Sequence, residues 1–173
     1  MAKSKPIKVK PLLLPTLMSV VEKSVGTMMF QTAYAEMDGQ KKDITDGGDL
    51  SCSFFVSGVL SMFDLVDQIH TTVSGTVRAM EAAGWKETKN LKPGVVIKWG
   101  PSTDGSFTHE HLGFYLGDDQ AISNISYKRS PGRHHLTFGK KGIGRHRPIL
   151  AIYHHLKLKW AYRTRFYSLN IWI

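Results

Sequence analysis

Cysteine is nearly absent from this chain: Cys52 is the only one in 173 residues. A single thiol closes no intramolecular disulfide, so nothing in the cysteine usage points to an oxidising compartment. Long apolar runs are missing as well. Leu12-Leu13-Leu14 comes nearest to a signal-peptide core, but Pro11 and Pro15 bracket it, and Glu22 and Lys23 follow soon after. The chain is therefore expected to lack a signal peptide and a membrane span, and to be cytoplasmic. Acid is scarce: 14 Asp and Glu stand against 23 Lys and Arg, for a formal net charge of +9. The surplus lies in Lys3, Lys5, Lys8 and Lys10, in Arg129, Arg133, Lys140, Lys141, Arg145 and Arg147, and in Lys157, Lys159, Arg163 and Arg165. Such a balance attracts anionic surfaces. No nucleic-acid motif accompanies it, so the charges read as solvated tails and loops, and no specific nucleic-acid partner is expected.

What is present is enough for one domain with a core, with 42% of residues apolar. Residues 1–11 are basic and contain proline, which suggests a disordered arm. Residues 12–158 hold the periodic segments, and residues 159–173 form a basic, aromatic tail without a period. The spacing of Leu17, Val20, Val21, Val25, Met28 and Met29 predicts a helix over Thr16–Met37, capped by Thr16. A polar, Gly-rich loop from Asp38 to Asp49 delivers a second helix at about Ser51–Leu65. A third covers Ser74–Ala83, capped by Ser74 and ended by Gly84. Beyond Pro93 the pattern changes to that of strands: Val95–Trp99, Thr108–Gly117, Gln120–Ile125, His134–Phe138 and Ile149–His154. Gly117-Asp118-Asp119 makes a hairpin turn. Helices first and an antiparallel sheet after them indicate an α+β domain.

Cys52 opens the second helix, where the positive end of the helix dipole favours a thiolate. A lone thiol there is either a nucleophile awaiting a histidine or a small buried hydrophobe. On the second strand, alternation puts His109 and His111 on one face. His-x-His is also a metal-ligand spacing, with His134 or His135 and Cys52 as further candidate ligands; no second cysteine and no acid cluster supports zinc, so no metal or cofactor is expected. His70, His146, His154 and His155 read as structural or solvated.

Asp49-x-x-Cys52-Ser53 at a helix start, Leu91-Lys92-Pro93-Gly94 before an apolar strand, and His111-x-Gly113-x-Tyr115-x-Gly117 come in that order. Together they resemble NlpC-type and CHAP-like papain-fold cysteine peptidases, over about Asp49 to Asn124. The resemblance implies a papain-like fold, with N-terminal helices packed on an antiparallel β-sheet. It implies Cys52 as nucleophile and His111 as general base. The third polar position falls at Ser123, with Asn124 beside it, where the family often has histidine; a histidine of the 134–135 pair is a further candidate. Asp49, Ser51, Ser53, His109 and His135 are candidate substrate-binding residues around them. The main-chain N–H of Cys52 would contribute to an oxyanion hole. The chain departs from the family at Leu50-Ser51, which separate Asp49 from Cys52, at Phe54 in place of glycine, and at Val95 in place of aspartate. The implied activity is hydrolysis of an amide or ester, as by a peptidase or amidase, on a peptide substrate that is peptidoglycan-derived in many members. The alternative is a binding module that keeps the fold without the chemistry. A thiolate–imidazolium ion pair, with the Cys52 pKa well below that of a free thiol, is expected of the first and not of the second.

Overall fold

A computed structural model describes residues 9–139 and 146–159. Residues 1–8 of the expected arm at 1–11, and all but the first residue of the tail at 159–173, lie outside the described residues.

Helix α1 spans Leu13–Lys23 and buries Leu14, Leu17 and Val21. It is half the length that the periodicity predicts. Ser24 takes its C-cap, and Gly26, at φ +76°, donates its N–H to the carbonyl of Pro131 across the molecule. Met28 and Met29, which continue the helical spacing, are exposed. Thr16 is not the cap; it lies inside the helix, its hydroxyl donating to Leu12 O at 2.7 Å. The chain then forms a hairpin of β1 (Tyr34–Met37) and β2 (Gln40–Asp43) in place of helix and loop. Its two-residue turn, Asp38-Gly39, has both residues at positive φ, the type I′ geometry that suits the strand twist.

Helix α2 runs from Cys52 to Ser61 and is buried over most of its surface: Phe55, Val56, Val59 and Leu60 are fully covered. It closes earlier than expected because Asp64 turns left-handed and Leu65 N–H bonds back to Leu60 O, a Schellman-type end. Helix α3 is Val73–Ala82, capped by the Thr72 hydroxyl, which accepts from Gly75 N–H, rather than by Ser74. Gly84, at φ +98°, ends it as expected, with Trp85 N–H returning to Met80 O.

The main sheet has β3 (Lys86–Glu87), β4 (Val96–Trp99), β5 (His111–Gly117), β6 (Gln120–Ile125), β7 (Ser130–His135) and β8 (Ile149–His154), in the order β3-β8-β4-β5-β6-β7, antiparallel throughout. The protein is thus an α+β fold. Strand β5 begins three residues later than predicted. β7 lies four residues earlier, since Pro131 is tolerated on an outermost strand. One sheet face, with Val96, Leu112, Phe114 and Ile122, packs against the helices; Phe30, Phe55 and Phe114 meet there edge-on at 5.1 and 5.6 Å. The other face carries Ile97, Trp99, Tyr115, Ala121 and Leu136. Among the described residues no helix is long and apolar enough to cross a membrane.

Candidate functional site

The loop ahead of Cys52 is set by Asp43. Its carboxylate accepts from the Thr45 hydroxyl (2.6 Å), Gly47 N–H (2.7 Å), Thr45 N–H (3.0 Å) and Ala33 N–H (3.3 Å). These bonds, that of the Thr45 hydroxyl first, hold its pKa down to about 2. From there the chain enters α2 without a side-chain cap; Ser51 is buried, and its hydroxyl has no partner among the described residues.

Cys52 is half-buried at the first position of α2. Its Sγ lies 3.9 Å from Ser53 Oγ and receives the main-chain N–H of Leu112, one residue past His111. The thiol therefore reaches the first turn of α2 and the start of β5 together. Burial pushes its pKa up, against the opposing pull of the Leu112 and Ser53 donors and the Arg147 charge. No hydrogen bond joins Sγ to His111, and the expected pre-formed ion pair with a low thiol pKa gives way to a neutral thiol. The physical reason is desolvation, which outweighs the dipole of a ten-residue helix.

His111 is buried at the first position of β5. The register Trp99↔His111, Gly113↔Ser123 and Ala121↔His134 puts His111, Ser123 and His134 on one sheet face. Ser123 Oγ stands 2.9 Å from His111 Nε2 and 2.8 Å from His134 Nε2, and His134 Nδ1 stands 2.8 Å from the carbonyl of His135. This chain has one consistent proton arrangement when both rings are neutral. A carbonyl only accepts, so His134 carries its proton on Nδ1 and leaves Nε2 bare. Ser123 then donates to His134 and accepts from His111 Nε2–H. In this arrangement Nδ1 is the unprotonated nitrogen of His111, and a main-chain hydrogen bond at Asn124 holds the ring's pKa up against burial. Burial, the first cause for both, lowers His111 well below 6.5 and brings His134 to about 4, with Arg147 adding to each.

Aromatic rings enclose this relay. Trp99 lies 6.0 Å from the His111 ring and 5.6 Å from His134, and Phe138 stacks on His134 at 3.8 Å. Trp99 is held by its indole N–H on Leu136 O at 2.8 Å. Gly113 makes the space: a Cβ there would come within 2.6 Å of Ile122 O and Ser123 Cβ and 3.0 Å of the Trp99 ring. The His-x-Gly spacing thus has a local cause.

The other sequence candidates are scattered. Asn124 turns to the opposite face, where its amide donates to Gly48 O at 2.7 Å, holding the loop before Cys52 rather than the imidazole; its Oδ1 is buried without a partner among the described residues. Asp49 is exposed and accepts through its carbonyl from Ser126 Oγ. His109 precedes β5 and is exposed, so it does not share the His111 face. His135 is exposed and bonds Thr137. Among the described residues no group of three or more His, Cys, Asp or Glu could hold a metal. Arg147, read from the sequence as a solvated charge, is 3% exposed. It donates through Nη1 to Gly100 O (3.1 Å) and His109 O (2.9 Å) and sits 4.7 Å from the centre of the Phe107 ring and 5.4 Å from that of Phe138. No motif marks it; its only signal is its place just before the last strand.

A cavity of about 200 Å³ opens beside the relay, lined by His111, Asn124, His134, Phe107, Phe138 and Arg147 among others. A larger hollow of about 790 Å³ lies by the β3–β4 connection and the end of β8, and no cysteine lines it. The chain matches no family model, no curated protein and no solved structure.

Proposed function

We propose that the protein is a papain-like thiol hydrolase that cleaves an amide or ester bond, with Cys52 as nucleophile and His111 as general base. The observation that carries this is the His111–Ser123–His134 relay, which keeps the His111 proton on Nε2, on the strand whose Leu112 N–H meets Cys52 Sγ. Hydrogen bonds of catalytic pairs are often open before substrate binds and close in the complex. In the reaction Nδ1 takes the thiol proton and the sulfur attacks the carbonyl carbon. The tetrahedral oxyanion is met by the Cys52 N–H at the uncapped start of α2. Collapse breaks the bond to nitrogen or oxygen, and the leaving group takes the proton from Nδ1. Water, deprotonated by Nδ1, then cleaves the thioester and restores the thiol. The candidate substrates are peptides or other amides and esters, peptidoglycan stem peptides and an intracellular amide, ester or thioester among them.

A second reading, a binding module of the same fold, is favoured by the burial that raises the Cys52 pKa. Labelling with iodoacetamide against pH separates the two. The hydrolase reading expects Cys52 to label at neutral pH and His111→Ala to slow labelling at least about tenfold by removing the base. Equal labelling in both proteins, with a midpoint at the free-thiol value, would leave the binding module.

A further inference from the structure

We infer that Arg147 forms a carboxylate-binding subsite in the cavity beside His111, so that the substrate carries a carboxylate close to its scissile bond. This rests on the hydrolase reading for the word substrate, but not for the binding itself.

An arginine offers five N–H donors in a rigid fork. Both donors of Nη1 are used, on Gly100 O and His109 O, which fixes the guanidinium in place. The three donors of Nε and Nη2 have no acceptor among the described residues. That edge of the fork matches a carboxylate with two parallel bonds. A buried cation is ordinarily paired. Here all 14 acidic residues of the chain lie within the described segments. The ion pairs found among them are Lys98–Glu110 and Arg133–Glu22, neither involving Arg147; Asp104 acts on Arg147 through its charge but forms no ion pair with it. The aromatic rings of Phe107 and Phe138 keep water from replacing the missing partner on the faces of the guanidinium.

The charge count decides among anions. With the two histidines neutral, Arg147 is the one cation among the lining residues and Asp104 already acts on it from outside the lining, which suits a carboxylate better than a phosphate dianion. Its ~200 Å³ corresponds to about six or seven waters, room for a group the size of a small amino acid. Arg147 and Cys52 each feel the other's charge, so the subsite lies within electrostatic reach of the nucleophile.

Two measurements test this. In the first, N-acetylglycine and N-acetylglycinamide are titrated into the full-length protein while the ring C–H signals of His111 and His134 are followed by NMR. The carboxylate should bind at least about tenfold more tightly than the amide, the worth of one charge-assisted bond. Arg147→Gln should abolish the preference, and Arg147→Lys should keep part of it. In the second, the rate of Cys52 alkylation by iodoacetate is divided by that for iodoacetamide. The ratio should fall about tenfold or more in Arg147→Gln and stay unchanged in Lys157→Ala. Equal binding of acid and amide by the wild type, or stronger competition by inorganic phosphate, overturns the subsite whether or not the variants fold. Carboxylate binding beside an inert Cys52 sustains the subsite and removes the hydrolase reading. His111-dependent labelling without carboxylate preference does the reverse.

Discussion

At the scale of single residues, the site is a neutral one, and its hydrogen bonds are set by where a carbonyl stops the chain of donors. Ser123 is the pivot. Ser123→Ala leaves two buried ring nitrogens without partners, a loss of about 1–3 kcal/mol. It also frees His111 to take the other tautomer, so under the proposed hydrolase function turnover should fall on the order of 10²-fold, with KM little changed. Steady-state kinetics and thermal melts read the two effects separately. Asn124→Ala, acting on the Gly48 loop, should instead loosen the approach of Cys52, a difference visible as faster hydrogen exchange ahead of α2. The same histidines make the fold acid-sensitive. A group whose folded pKa lies below its unfolded value binds fewer protons when folded, so its stability is whole above about 6.5 and is lost as pH falls through the folded value. For His134, at about 4, the loss between pH 6.5 and 4 is on the order of 3 kcal/mol, and His111 adds to it. Urea titrations at pH 7 and 4.5 measure it; equal midpoints would contradict the burial of both rings.

Among the elements, β5 and β6 matter most, because their register brings Ser123 opposite Gly113. Gly113→Ala introduces a methyl group where backbone and Ser123 leave 2.6 Å. Overpacking of this kind costs about 1–3 kcal/mol. The distinctive effect is lateral: Ser123 must shift, and the His111 ring signals should then titrate independently of His134. Elements with local causes were legible in the sequence. The β-branched runs of β4 and β8, the Gly117-Asp118-Asp119 turn and the Gly84 stop all appear where the pattern puts them. Elements with distant causes were not. Nothing near Val25 says that Gly26 will bond to Pro131, more than a hundred residues on, and so end α1 and leave Met28 and Met29 in solvent. The Asp38-Gly39 turn signal was present but overshadowed by the helical spacing before it. The site divides in the same way. Cys52, His111 and Ser123 follow from motif order, whereas His134 depends on the placement of an outer strand that contains proline, and Arg147 on a burial that a run of basic residues disguises.

For the molecule as a whole, the order of strands differs from the order of the chain. β8, the last described strand, lies between β3 and β4, and Leu158 packs on the helical core just beyond it. Truncation after Leu158 should therefore keep the melting temperature within about 5 °C, whereas truncation before Ile149 should abolish cooperative melting, because it removes the partner of both β3 and β4. Circular dichroism melts of the two truncated proteins check this. The inserted strand also has a meaning in time. During synthesis on the ribosome, Cys52, His111, Ser123 and His134 all emerge before Arg147 and β8, while β4 still has a bare edge. Such long-range pairing is slow, and it exposes nascent chains to mispairing. It also makes the finished pocket a later event of translation than its thiol: a chain released before residue 147 carries the thiol and its histidines but neither the arginine beside them nor the strand that pairs with β4.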